Sequence, residues 1–206
     1  TWLVGTSAIR RGAGPAPRRI GRVVFVHGFL ATGAVLHPLR DRVRAVGFGT
    51  HELSYGPQVP FVGIAERLRA LVDTDVPRDE PVVLVGHSLG GLVSRWYLQK
   101  LSGRDRVCGL VTLATPHGGV AQARLLPTSV GHALRPGGVY LRALEAQSSV
   151  PHVNIFGEAD HIVPVQSGAA VVGAESVGLP CDHNELLYAP HAHAEALAAI
   201  ERFLRP

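Results

Sequence analysis

The feature that most constrains this chain is an alternation, running from residue 20 to its end, of short apolar segments with stretches of helical period. Residues 20–27 and 81–85 are short, apolar and β-branched, so they read as strands buried on both faces. Residues 107–113 and 153–156 read the same way, 50–54 as a weaker strand and 175–179 as a marginal one. Between them, residues 33–46 carry apolar side chains at helical spacing (Val35, Leu39, Val43, Val46). Residues 61–72 form an amphipathic helix with Phe61, Ile64, Leu68, Leu71 and Val72 on one face. Residues 89–101 and 192–204 are further helices. A βαβα order of this kind implies an α/β protein: a mainly parallel sheet of about six strands with helices on both faces. Residues 120–150 break the alternation and read as short helices and turns, a small cap-like insert between two strands. Residues 1–19, with Gly and Pro and no clear period, read as a flexible leader, and 20–206 as one domain.

Composition narrows the class. The 206 residues suit a single domain, and 46% apolar with 17% charged residues is a globular balance. No uninterrupted apolar run reaches 18 residues. The formal charge of +4 comes almost wholly from arginine, Lys100 being the one lysine. Arg10, Arg11, Arg18, Arg19 and Arg22 cluster among Gly and Pro near the start, without the basic helix face or basic–aromatic cluster that nucleic acid requires, so no nucleic-acid partner is expected. No signal peptide is present, yet the chain begins at Thr1 and contains no Met, so a segment upstream is expected to have been removed, by processing after secretion or by trimming. Localisation stays open between the secreted or envelope compartment and the cytoplasm, and the sequence gives no handle on oligomeric state.

Open parallel sheets bind ligands beyond the carboxyl ends of their strands. There the sequence sets His27-Gly28-Phe29, Gly86-His87-Ser88-Leu89-Gly90-Gly91, Thr115-Pro116-His117-Gly118-Gly119, Gly157-Glu158-Ala159-Asp160 and Cys181-Asp182-His183. A serine, an acid and a histidine fall on one rim. Gly86-His87-Ser88-Leu89-Gly90 fits G-x-S-x-G between a buried strand and a helix, the context in which that pattern marks a nucleophile. The turn is too tight for side chains at 86 and 90, and it holds the serine hydroxyl at a helix N-terminus, where developing negative charge is favoured.

A serine hydroxyl needs a base. Of eleven histidines, His183 follows the last strand in the chain order serine, acid, histidine. His191 and His193, at the start of the last helix, are its rivals and read otherwise as surface histidines. Asp160 is the chosen carboxylate partner, Glu158 the second choice, and Asp182 a turn-former, because adjacent side chains in an extended segment point apart. The backbone N–H groups of Leu89 and Phe29 are the expected oxyanion donors, with Gly28 allowing close approach and the Phe29 and Leu89 side chains lining the acyl pocket. Leu30, Leu125, Leu126, Val163 and Leu186 are the further pocket candidates, with core packing an equal alternative. His191-Ala192-His193 lacks the spacing and third ligand for zinc, and neither G-x-G-x-x-G after a strand nor a P-loop occurs, so no metal or cofactor is expected.

These motifs resemble those of the compact bacterial lipases and esterases of the α/β-hydrolase superfamily. The likeness rests on Val-Phe-Val-His-Gly-Phe at 24–29, Gly-His-Ser-Leu-Gly-Gly at 86–91, Thr-Leu-Ala-Thr-Pro-His-Gly-Gly at 112–119, Phe-Gly-Glu-Ala-Asp-His-Ile-Val-Pro at 156–164 and His-Asn-Glu-Leu-Leu at 183–187, five motifs in order over residues 20–206. The resemblance implies a serine carboxyl-ester hydrolase with Ser88, Asp160 and His183 as triad, Phe29 and Leu89 at the oxyanion positions, and a small-molecule or lipid ester as substrate. A transient contact with a membrane or lipid surface fits such a substrate. Acyl transfer or lipid deacylation on the same fold, amide or thioester cleavage, and a non-catalytic binding protein remain as alternatives. Two departures stand out: Asp182 occupies a position where many relatives carry Gly, and an insert of about thirty residues is too short for a large mobile lid. On this fold Cys108 and Cys181 lie at opposite strand ends, roughly 15–20 Å apart. A disulfide tolerates about 4.4–6.8 Å between Cα atoms, so two free thiols are expected.

Overall fold

The computed structural model describes residues 19–205. The leader expected over 1–19 therefore lies outside the described residues except for Arg19, whose guanidinium pairs with Glu201 at 2.7 Å. Six strands form one sheet: β1 (Arg22–Val26), β2 (Gly49–Leu53), β3 (Val82–His87), β4 (Val107–Leu113), β5 (His152–Gly157) and β6 (Glu175–Leu179). Their order is β2-β1-β3-β4-β5-β6, and every neighbouring pair is parallel. All five carboxyl-end loops that bear the sequence motifs thus leave one edge of the sheet.

The helices are α1 (His37–Ala45), α2 (Phe61–Thr74), α3 (Leu89–Lys100), α4 (Ser129–Leu134), α5 (Val139–Ala143), α6 (Val165–Gly168) and α7 (Pro190–Phe203). Residues 33–46, expected as one helix, divide into a 3-10 turn over Gly33–Leu36 and then α1. Pro38, lacking an N–H, is tolerated only in a first turn, which starts the α-helix at His37. Pro190 opens α7 in the same way, two residues before the expected start.

Alternation along the strands sorts side chains into two cores. Val24, Val26, Leu84 and Leu110 pack with Phe61, Ile64 and Leu68 of α2 and Leu92 and Val93 of α3. Val23, Phe25, Val85, Val111 and Ile155 pack with Leu39 and Val43 of α1 and Ala196 and Ile200 of α7. Burying both faces is what makes these strands uniformly apolar, and full burial of a residue such as Ile64 or Leu68 is worth ~1.5–3 kcal/mol.

The insert between β4 and β5 is pinned to the first of these cores. Val120, Ala123, Val130, Ala133, Leu134 and Leu144 are buried in it. Ser129 Oγ accepts the Phe61 N–H at 3.1 Å, and Tyr140 meets Phe61 and Trp96 edge-on at 5.1 and 5.4 Å between ring centres. Both cysteines are free thiols.

Candidate active site

Ser88 sits between β3 and α3 with φ 51° and ψ −120°, a conformation L-residues rarely hold and one that costs about 1–3 kcal/mol. Local packing enforces it. A Cβ on Gly86 would lie 2.6 Å from the Gly91 backbone, and one on Gly90 would lie 2.1 Å from the Val26 carbonyl oxygen. The Ser88 N–H donates to the Leu113 carbonyl at 2.8 Å, tying the turn to β4. Strand β3, the two glycines and the helix start together fix the serine.

Asp160 lies three residues beyond β5 and is buried. Its Oδ1 accepts the N–H groups of Ile162 and Val163, both at 2.8 Å, which closes a tight turn. Its Oδ2 accepts from His183 Nδ1–H at 2.8 Å. Burial pushes the Asp160 carboxyl up, but the hydrogen bonds from His183 and the two N–H groups outweigh it and hold the group below the ordinary aspartate value. With its proton on Nδ1, a neutral His183 keeps Nε2 as its acceptor. The loops bearing the two residues are cross-linked: Glu158 N–H donates to the Leu179 carbonyl at 2.8 Å and Ala159 N–H to the Cys181 carbonyl at 3.2 Å.

Ser88 and His183 line one cleft of about 350 Å³ with Gly28, Phe29 and His87. His87 is buried and pushed down to about 3, by burial first and by its neighbour His183 second, so it is neutral there. Neither the Phe29 N–H nor the Leu89 N–H donates to another protein group among the described residues. A larger cavity of about 610 Å³ lies at the amino-terminal edge of the sheet, between Phe48, Cys108, Phe203 and Leu204, far from any of this chemistry. Size alone does not mark the site.

The rival groups fall elsewhere. Glu158 is exposed, and Asp182 Oδ1 accepts the N–H groups of Asn184 and Glu185, each at 2.8 Å, a turn-forming role. His191 is exposed, with Nε2 3.2 Å from the Cys181 sulfur. His193 is not the surface residue expected from sequence: it is 2% exposed, and its Nε2–H donates to the Leu187 carbonyl at 2.7 Å. It shares the inward face of α7 with Ala196 and Ile200, three and seven residues on.

Among the apolar candidates, Phe29, Leu30 and Leu126 line the cleft, and Leu89, Leu125, Val163 and Leu186 do not. Leu125 is 84% exposed, whereas Val163 and Leu186 are buried in the core. Leu187 and Ile162 take their places. At the Asp160 turn Ile162 is exposed and Val163 buried, whereas in the 3-10 turn at Glu185–Leu187 both leucines are buried and only Leu187 borders the cleft, placements that no strand or helix period reveals. The Leu89 side chain is fully buried because α3 is enclosed along most of its length. Leu134 and Val120, from the insert, also reach the cleft, and no signal in the sequence pointed to them.

Comparison with known proteins agrees with this architecture. Residues 62–126, which span α2, β3, the serine turn, α3 and β4, match the model of the PGAP1-like alpha/beta domain. No curated protein matches the chain by sequence. Among solved structures, one of the metagenome-derived lipolytic enzymes LipS and LipT superposes with a TM-score of 0.72 at 15% identity, covering 91% of this chain and 96% of that one. The mature form of a Bacillus licheniformis lipase gives 0.70 at 15% identity, covering 97% and 96%. A metagenomic carboxyl esterase gives 0.69 at 16% identity, covering 98% and 82%. The chain has the α/β-hydrolase fold, and the stretch that carries its Ser88 turn is similar to the PGAP1-like alpha/beta domain.

Proposed function

We propose that the protein is a serine carboxyl-ester hydrolase, an esterase or lipase working through an acyl-enzyme on Ser88. The observation that carries the reading is the 2.8 Å hydrogen bond from His183 Nδ1–H to the buried Asp160, on a cleft that His183 shares with the strained Ser88. The names of the structural neighbours (lipolytic enzymes, a lipase, a carboxyl esterase) support it from outside the chain.

In this mechanism His183 Nε2 takes the Ser88 hydroxyl proton as Oγ attacks the ester carbonyl carbon. The carbonyl π pair moves onto oxygen, and that oxyanion accepts from the N–H groups of Phe29 and Leu89. Asp160 stabilises the imidazolium without taking its proton. The oxyanion re-forms the carbonyl, the bond to the alkoxy oxygen breaks, and His183 delivers its proton to the departing alcohol. Water, deprotonated by His183, then attacks the acyl-enzyme, and the collapse of the second tetrahedral species returns the proton to Ser88 Oγ and frees the acid. A cleft of about 350 Å³ is at the small end of ligand pockets, and its apolar wall of Leu126, Ile162 and Leu187 suits a short or medium acyl chain.

The test is turnover of a chromogenic short-acyl ester. Ser88→Ala is expected to lose about four orders of magnitude or more in kcat. A variant that kept most of the activity would remove Ser88 from the mechanism.

A further inference from the structure

Tyr55 lies in the loop after β2, on no motif and lining no part of the catalytic cleft. Beyond packing on the core, its hydrogen bonds and ring stack all fall on one residue. Its hydroxyl donates to the His27 carbonyl at 2.6 Å, its backbone N–H donates to His27 Nε2 at 3.3 Å, and its ring stacks on the imidazole at 4.1 Å with 14° between the planes. His27 in turn reaches the next peptide, Nδ1 lying 2.8 Å from the Gly28 carbonyl oxygen.

These partners determine the proton arrangement on the ring. A backbone N–H can only be accepted by a lone pair, so Nε2 is unprotonated and the ring proton sits on Nδ1, where it donates to the Gly28 carbonyl. Burial holds His27 below the ordinary histidine value, in keeping with a neutral ring. The Gly28–Phe29 peptide is trans, so its C=O and N–H point in opposite directions. Gly28 and Phe29 line the cleft, while His27 and Tyr55 do not. Holding the carbonyl towards the His27 ring therefore turns the Phe29 N–H away from that ring. Gly28 also packs so tightly that a Cβ there would lie 3.1 Å from Ser88 Cβ, which sets this peptide beside the nucleophile.

We propose that Tyr55 and His27 form a positioning clamp that fixes the direction of the Phe29 N–H as an oxyanion donor. The clamp is preorganisation in a literal sense: the donor is aimed before substrate arrives, so no reorientation is needed as charge develops on the carbonyl oxygen. Tyr55 holds His27 by ring face, backbone and hydroxyl, and His27 holds the peptide. The inference rests on the serine-hydrolase reading above.

Steady-state kinetics of Tyr55→Phe, His27→Ala and His27→Asn, with Ser88→Ala alongside, test it. Tyr55→Phe keeps the stack and loses only the hydroxyl. Loss of an oxyanion donor costs about 100- to 1,000-fold in kcat, so a misdirected one is expected to cost about 10- to 100-fold in His27→Ala and about 3- to 10-fold in Tyr55→Phe, with KM changed by less than about threefold. His27→Asn places an amide N–H near the Nδ1 position and is expected to recover part of the loss. Affinity for a boronic acid, which binds serine as a tetrahedral adduct, should fall in step with kcat, while affinity for the product carboxylate should not. Unchanged kcat and boronate affinity in Tyr55→Phe and His27→Ala, with Ser88→Ala inactive, would overturn the clamp and leave the hydrolase reading intact. An active Ser88→Ala would overturn that reading itself. If His27→Ala does not fold, Tyr55→Phe and His27→Asn decide, since a kcat loss without a KM change is not what general loosening gives.

Discussion

Buried histidines occupy two regions of the molecule, and their surroundings make them opposites. At the cleft, His183 has a carboxylate at 2.8 Å and opens onto the cavity that Ser88 lines. Between α3, β4 and β5, His117 has a guanidinium instead: Arg95 Nη1 donates to its Nδ1 at 3.2 Å. His117 Nε2–H then donates to Asn154 Oδ1 at 3.2 Å, the Thr112 hydroxyl to the same oxygen at 3.0 Å, and His152 Nε2–H to Thr112 Oγ1 at 2.8 Å. Burial first and Arg95 second hold His117 well below the ordinary histidine value and push His152 down to about 3. His183 faces a negative partner, whereas His117 and His152 are held neutral beside a positive one. The residue type is common to both groups, and the neighbour decides its use.

The largest expected effect falls on the first group. Asp160→Asn should lower kcat by about 10⁴-fold, because the amide no longer enforces the Nδ1–H tautomer or stabilises the imidazolium; steady-state kinetics on a short-acyl ester check it. The second group should register in stability. Below about pH 6.5 an unfolded chain binds protons that the folded His117 and His152 refuse, so stability is full above that value and falls as pH drops towards their folded values. The loss approaches ~1.4 kcal/mol per pH unit for each such histidine. Asp160, held below the usual aspartate value, stabilises above about pH 4 and loses that contribution only below it. Urea denaturation at pH 7, 6 and 5 should therefore show a steep decline, and a flat profile would contradict the neutral cluster.

Smaller effects sharpen the contrast. Arg95→Met leaves His117 Nδ1 and the Glu145 carbonyl without their donor and should cost about 1–3 kcal/mol in urea midpoints while kcat stays within about threefold. The smallest is at the cleft wall. Leu126→Ala should shift acyl-chain preference a few-fold in kcat/KM across an ester length series, and Leu125→Ala, at an exposed neighbour, should leave it unchanged.

Much of this was legible in the sequence because it follows from repeats of period two or 3.6 or from strict steric need. Strands β1, β3 and β4 announce themselves as apolar runs, α2 by its stripe, and the Ser88 turn by Gly86 and Gly90, where no Cβ fits. The acid and histidine loops follow from strand ends. What was not legible depends on turns and on contacts distant in sequence. Leu187 lines the cleft where Leu186 was expected, and Ile162 where Val163 was, because such short turns carry no repeating period. The Arg95 network joins residues up to 50 positions apart through a polar pocket in the core, and the burial of His193 required knowing where α7 begins.

The most direct test of the central claim is covalent. The folded protein is treated with a fluorophosphonate, and the adduct is located by peptide mass spectrometry in the wild type and in His183→Ala and Asp160→Asn. Serine hydroxyls without a base do not react at an appreciable rate. The account predicts a single adduct on Ser88 that disappears in His183→Ala and is strongly slowed in Asp160→Asn. A folded wild type that does not react, or an adduct elsewhere, would contradict it.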